Sequence, residues 1–455
     1  MTPADVDALI DRQPVGRFQL RVILLCLLVQ FVDGFDNQAI AFVAPALIRD
    51  WHLSRASLGP VFGAGAFGTL LGSLLIGPIG DWWGRKSLIL GSLGLVTVLM
   101  ALTAQAQSIN EMLLYRFVTG LPLGALIPAT IVMANEWSPR RNRAAMVTIM
   151  ACGFALGAAV GGLLASLLLP RLGWSAVFNV GCGASAILAV CVLAWMPESL
   201  RFIALRHTPR RRAQARVLLR RLDSSISDTV MILPSANERA CSTNKVAALF
   251  AEQRMFVTLL LWASFFMNML VLNFLNNWLP TVMSQNGHSI EQAAQVTTLF
   301  QIGGIVGIIL MGAVADRVGA WRLVAVAYLL SGIMVASIGV IHGGGLGQPL
   351  IVALAGFCVI GVQMTLSALS ATLYPTSIRS TGSSWGIGVG RVGSSLGPLL
   401  GGVLIGWHWE MPSLFGVIAL FSLGGFFCVW LLARIVTRPR QQPIASSRVS
   451  RLWGG

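Results

Sequence analysis

The chain has 455 residues, 55% of them hydrophobic and only 11% charged, with 32 Lys+Arg against 17 Asp+Glu. Soluble domains carry about 25% charged residues, so this chain has too little charge to coat a water-soluble globule, and the bilayer is the expected solvent for most of it. The net charge of +15 has two readings, nucleic-acid binding or a membrane topology signal, and the positions of the charges decide between them.

Asp5, Asp7 and Asp11 precede the first apolar run, which is too long for the core of a cleavable leader. A hydrocarbon layer about 30 Å thick needs about 20 apolar residues per helix. That length predicts twelve helices, at 20–44, 55–79, 87–107, 111–135, 145–169, 174–196, 255–283, 292–315, 322–342, 348–374, 383–406 and 411–434. The expected plan is an all-α polytopic membrane protein. Residues 1–19 form an N-terminal segment, 20–196 a first six-helix half, 197–254 a long polar centre, 255–434 a second half and 435–455 a tail.

Of the 32 basic residues, 27 fall in the termini, the centre and the loops on their side; Arg49, Arg55 and Arg171 fall on the other side, and Arg116 and Arg391 lie within spans. This asymmetry predicts cytoplasmic termini and centre in a bacterial inner membrane, and removes the nucleic-acid reading. The seven cysteines form no CxxC pair and the five histidines lie in or beside loops. No metal, no cofactor and no enzymatic constellation is expected.

The halves repeat. Gly77-x-x-x-Asp81 follows span two and Gly312-x-x-x-Asp316 follows span eight, 235 residues later. Pro139 matches Pro375, and Gly161-Gly162 matches Gly401-Gly402. Two parallel six-helix repeats point to a transporter with its site at the midplane between them.

Ionisable residues at bilayer depth are costly and are functional candidates by default. Asp33 lies about 12 residues, or roughly 18 Å, into span one. Asp36 follows one turn later, so the two share a helix face and influence each other's titration. That chemistry suits proton coupling. Arg391 lies about 12 Å into span eleven and Arg116 near the start of span four. A guanidinium stays charged and can hold a carboxylate with two parallel bonds. Each arginine is therefore a candidate ligand for a substrate carboxylate or a partner for an aspartate. Asn276, Asn277, Gln301 and Gln363 are polar residues well inside spans. Phe35, Phe274, Trp278, Phe300 and Tyr374 could supply aromatic walls or packing.

The segment Gly77-Pro-Ile-Gly-Asp81-Trp-Trp-Gly84-Arg85-Lys86 resembles the loop signature of the major facilitator superfamily, with Trp82 in place of a usual basic residue. Asp33-Gly-Phe-Asp36-Asn-Gln-Ala39 resembles the D-G-x-D segment of its aromatic acid:proton symporter family. Similar pieces run along nearly the whole chain: Arg116-Phe-Val-Thr-Gly120, Pro197-Glu-Ser-Leu-Arg201, Trp278-Leu-Pro280, Tyr374-Pro375, Arg379-Ser-Thr-Gly382 and Gly390-Arg-Val-Gly393. The pattern is similar to that of the family's bacterial hydroxybenzoate/protocatechuate permeases. Pro122 and Ala129 depart from it. The resemblance implies a monomeric symporter that imports an aromatic carboxylate with protons through the lipid bilayer. It implies proton coupling at Asp33 and Asp36, and substrate contacts from Arg391, Arg116, Phe35, Asn277, Trp278, Gln301 and Gln363. It also implies a cytoplasmic gate of Asp81, Arg85, Glu136, Arg140, Asp316 and Arg379. The competing expectations are a carrier of a non-aromatic acid such as muconate, and a membrane sensor without net transport.

Overall fold

The computed structural model of the chain describes residues 3–5, 10–11, 15–139, 141–199, 202–203, 231–233, 245–251, 254–285, 287–341, 347–375 and 378–437. Among them are twelve helices long and apolar enough to cross a membrane. They are α1 (Arg17–Asp50), α2 (Leu58–Leu75), α3 (Arg85–Ala104), α4 (Ile109–Trp137), α5 (Arg143–Leu172) and α6 (Ser175–Trp195) in the first half. The second half holds α7 (Met255–Gln285), α8 (Ile290–Val318), α9 (Ala320–Val340), α10 (Gly347–Leu373), α11 (Arg379–Gly406) and α12 (Met411–Thr437). Apart from the carbonyls that internal prolines such as Pro45 and Pro280 leave free, the helices satisfy their own backbone groups, which is the condition for crossing hydrocarbon. The single β element among the described residues is a parallel pair of short strands, Pro3–Asp5 with Met231–Leu233.

Helix ends differ from the apolar runs for identifiable reasons. α1 continues through Arg49 and Asp50 to a cap at Trp51, because hydropathy reports contact with lipid whereas helical bonding continues into the polar zone. At 34 residues it is about 51 Å long. The second span ends early, at Leu75, and a short helix restarts at Ile79–Trp83 after Gly77-Pro78. Gly84 then turns the chain with φ +101° into α3. Ser108 and Ser289 cap α4 and α8 by accepting from the backbone N–H of Glu111 and Gln292.

Helix pairing repeats between the halves. In the first half α1 packs on α5, α2 on α4 and α3 on α6; in the second α7 packs on α11, α8 on α10 and α9 on α12. Across the halves, α5 meets α8, α2 meets α11 and α1 meets α7. Adding six to each number turns the first of these pairs into the second and maps the third onto itself, which is the mark of a pseudo-two-fold axis along the bundle. Glycines set the close approaches. Gly34 and Gly157 lie against the backbones of Phe154 and Phe31 where α1 crosses α5, and Gly68 and Gly72 lie against Phe117 and Leu121 where α2 crosses α4. Lipid tails are as apolar as leucine, so van der Waals contact between backbones carries much of this association.

The even number of spans puts both helical ends of the chain at one face, here the terminal face. Among the described residues, the close glycine contacts between the halves lie between the midplane and the other face. Gly59 touches Gly402, Gly63 meets Leu399, Ala56 meets Gly406, and Gly162 meets Thr298. The halves are thus clasped at the opposite face. Gly157→Leu should drive a side chain into the Phe31 backbone and lower the melting temperature of the purified protein by several degrees, as overpacking does. Gly91→Leu, at an exposed helical glycine with open space around it, should leave it unchanged in the same thermal scan.

Candidate functional site

α1 is the polar spine of the first half. It carries Gln30, Asp33, Asp36 and Gln38, all buried. Gln30 Nε2 donates to Thr130 Oγ1 of α4 at 2.6 Å. Asp36 receives a two-pronged bond from Arg116 of α4, with Nη2 on Oδ1 at 2.9 Å and Nη1 on Oδ2 at 3.1 Å. Nη1 also donates to the Asp36 carbonyl at 3.2 Å. The guanidinium carbon sits 5.3 Å from the centre of the Phe178 ring of α6. Both side chains are sealed, at 4% and 1% exposure. This ion pair lies wholly inside the first half, and its two parallel bonds offset part of the cost of burying the charges.

Asp33 is also buried, at 2%. Its Oδ2 has no hydrogen-bond partner among the described residues. Its charge interacts with Asp36 one turn on and with Arg391 of α11, in the other half. Arg391 is partly exposed. Its Nη1 donates to the Thr69 carbonyl of α2 at 3.0 Å, so the arginine reaches across the interface near the midplane. Gly393, two residues further along α11, packs on Phe266 and approaches Leu270 of α7. These residues bracket Asn268, whose Nδ2 donates to Gln363 Oε1 of α10 at 2.8 Å. Gln363 therefore lies at the level of Arg391. An arginine that crosses between the halves, an incompletely satisfied carboxylate and an amide thus lie at a similar depth.

The other expected substrate contacts are engaged elsewhere in this arrangement. Phe35 fills the space beside Gly161 and Gly181. Asn277 Nδ2 donates to Asn273 O of its own helix at 2.8 Å. Gln301 Nε2 donates to Asn276 Oδ1 at 2.9 Å. Trp278 is fully buried, with Nε1 donating to Pro398 O at 2.9 Å and its ring edge-on to Phe62 at 5.2 Å. Phe274, Phe300 and Tyr374 are likewise buried, and Tyr374 OH meets Thr258 Oγ1 at 3.2 Å.

At the terminal face, Arg140 and the side chains of Asp81 and Asp316 lie outside the described residues. Glu136 is buried at the end of α4, Arg85 opens α3, and Arg379 is exposed at the start of α11. Arg143 folds back on Ser138 O, with Nη2 at 3.2 Å. Glu198, within the Pro197-Glu-Ser piece, has a role that the motif alone does not mark. Its Oε1 accepts from the backbone N–H of Lys86 at 3.0 Å and of Ser199 at 2.9 Å. A carboxylate thus caps the positive N-terminal end of α3. The available signal was the positive-φ glycine at position 84, beside which only a side chain from another segment can reach the bare amides.

Comparison with known proteins agrees with this architecture. The Major Facilitator Superfamily model matches residues 26–386 and 261–453. A gallate transporter of Pseudomonas putida is 38% identical over 422 residues, which cover 92% of each chain. The 4-hydroxybenzoate transporter PcaK of the same organism is 36% identical over 407 residues, covering 89% of this chain and 90% of its own. A benzoate transport protein of Acinetobacter baylyi is 29% identical over 424 residues, covering 91% and 89%. With twelve spans, two repeated halves and a polar centre between them, the chain belongs to the major facilitator superfamily.

Proposed function

We propose that this chain is a proton-coupled secondary transporter that imports an aromatic carboxylate across a bacterial cytoplasmic membrane by alternating access. The observation that carries the reading is that Arg391 of the second half reaches across to the Thr69 carbonyl near the midplane, where its charge acts on the buried Asp33 of the first half. The printed names of the relatives, which carry gallate, 4-hydroxybenzoate and benzoate, support the substrate class. With 27 of 32 basic residues on the terminal side, that face is cytoplasmic. The clasp then closes the outside, and the arrangement faces inward.

The chemistry follows from charge balance. One guanidinium can balance one carboxylate in a medium of low dielectric. When substrate takes Arg391 by two parallel bonds, Asp33 loses its counter-charge and balances itself by taking a proton. Substrate and proton then load together and the two halves can rock as a nearly neutral unit. We assign the amide of Gln363, which in this arrangement accepts from Asn268, to a ring substituent of the substrate. Asp36 does not share this task, because Arg116 already satisfies both of its oxygens. We assign that pair to holding α1 against α4.

Proteoliposomes with an alkaline interior should concentrate labelled 4-hydroxybenzoate or gallate, and a protonophore should abolish the gradient. Uptake indifferent to the pH difference would remove the coupling assignment. Asp33→Asn should lose concentrative uptake by at least roughly tenfold while substrate exchange between equal pools continues, since the neutral amide mimics the loaded carrier.

Arg391→Lys keeps the charge but loses the paired geometry, and should raise KM about tenfold with a smaller effect on the maximal rate. Asp36→Asn strands a buried guanidinium. It should cost about 3–5 kcal/mol of stability, read as a lower melting temperature, whereas Asp33→Asn should leave melting close to wild type.

A further inference from the structure

One of the bonds that clasp the opposite face has an unusual acceptor. Pro280 lies inside α7. Proline has no backbone N–H, so the carbonyl four residues earlier, that of Asn276, has no helical donor. A bare carbonyl in a membrane-buried helix is costly. Gln38 of α1 supplies the missing bond from the other half, its Nε2 donating to Asn276 O. The side chain of the same asparagine is held from α8 by Gln301. All three residues are buried. Beside them, Phe62 of the first half and Trp278 of the second close edge to face.

The internal repeat provides a control. Pro45 in α1 stands 235 residues before Pro280 and frees the Ala41 carbonyl in the same way. The counterpart of Gln38, 235 residues later, is Asn273. Its Nδ2 turns back on Met269 O of its own helix at 3.0 Å. Asparagine is one methylene shorter than glutamine. Of these two related positions, only Gln38 makes the cross-half bond.

We infer that Gln38 is the latch of the outer gate, and that release of its amide from the proline-freed carbonyl is the step that opens the site to the outside. Gln38 is a positioning residue, since it acts on the gate and need not touch substrate. While the gate is dry, no other side-chain donor among the described residues reaches Asn276 O, and the bond holds α1 against α7. Once the gate opens, water satisfies both groups and the bond is no longer needed. The inference rests on the alternating-access reading above.

The test is hydrogen exchange by mass spectrometry on the full chain in lipid nanodiscs, without substrate. In Gln38→Leu, amides at 61–63 and 399–406, on the opposite face, should exchange roughly fivefold faster, the effect of one lost hydrogen bond. Amides at 133–137 and 369–373, on the terminal face, should exchange more slowly as that side closes. Pro280→Ala returns a competing N–H to the Asn276 carbonyl and should shift exchange in the same direction. Asn273→Ala should shift neither face. Unchanged exchange in Gln38→Leu would overturn the inference, as would faster exchange at both faces, which reports general destabilisation. Wild-type protein that carries no acid, yet shows the two-sided exchange response in Gln38→Leu, would remove the transport reading and leave the latch standing.

Discussion

No water reaches the middle of a bilayer to satisfy a bare polar group, and the polar architecture of this protein follows from that. Each buried donor or charge must find its partner within the chain, so partners define how helices associate. Asp36 and Arg116 close on one another inside the first half. Gln30 closes on Thr130 there too, and Asn268 on Gln363 in the second half. Across the halves the partners are fewer: Arg391 reaches a backbone carbonyl of α2, and Gln38 reaches one of α7. Among the described residues, pairing is dense within the halves and sparse between them, which divides the molecule into two bodies with few polar ties across their interface. That division is what a rocking carrier requires.

The glycine contacts act in the same direction. Where α1 crosses α5 and α2 crosses α4, backbones touch directly, so each half is packed without room for adjustment. The contact of Gly59 with Gly402 is different in kind. Two residues without side chains meet across the interface, and separating them leaves neither interlocked side chains nor unpaired polar groups behind. The clasp combines one such smooth contact with an amide bond and an aromatic plug.

Much of this plan was legible in the residues. Twelve apolar runs gave twelve helices, since hydropathy directly measures what lipid selects. Few charges interrupt the runs, so Asp33, Asp36, Arg116 and Arg391 were conspicuous. Their partners were not legible. Spacing puts Asp33 and Asp36 on one face, but only the third dimension decides that Arg116 meets the second of them. The aromatic and amide residues were harder still, because a buried Trp278 that packs and one that lines a site have the same sequence signature. Gln38 stood inside a recognised motif whose two aspartates drew the notice, and its partner, a backbone carbonyl of another helix, leaves no side-chain signature. Its signal was Pro280, four residues after Asn276, with Pro45 at the equivalent place in the first repeat. Glu198 was missed for a similar reason: its role is to complete the start of a helix more than a hundred residues earlier.

That last contact bears on the order in which the molecule is built. Glu198 comes just after α6 and folds back onto the first amides of α3, so a contact that completes the first half forms only once its last span has been made. By then the Asp36–Arg116 and Gln30–Thr130 pairs have both members present. The first half can therefore settle in the membrane as a finished unit before α7 is synthesised, and domains made first generally do fold first. The second half then docks on a surface already formed, with the free amide of Gln38 waiting on it.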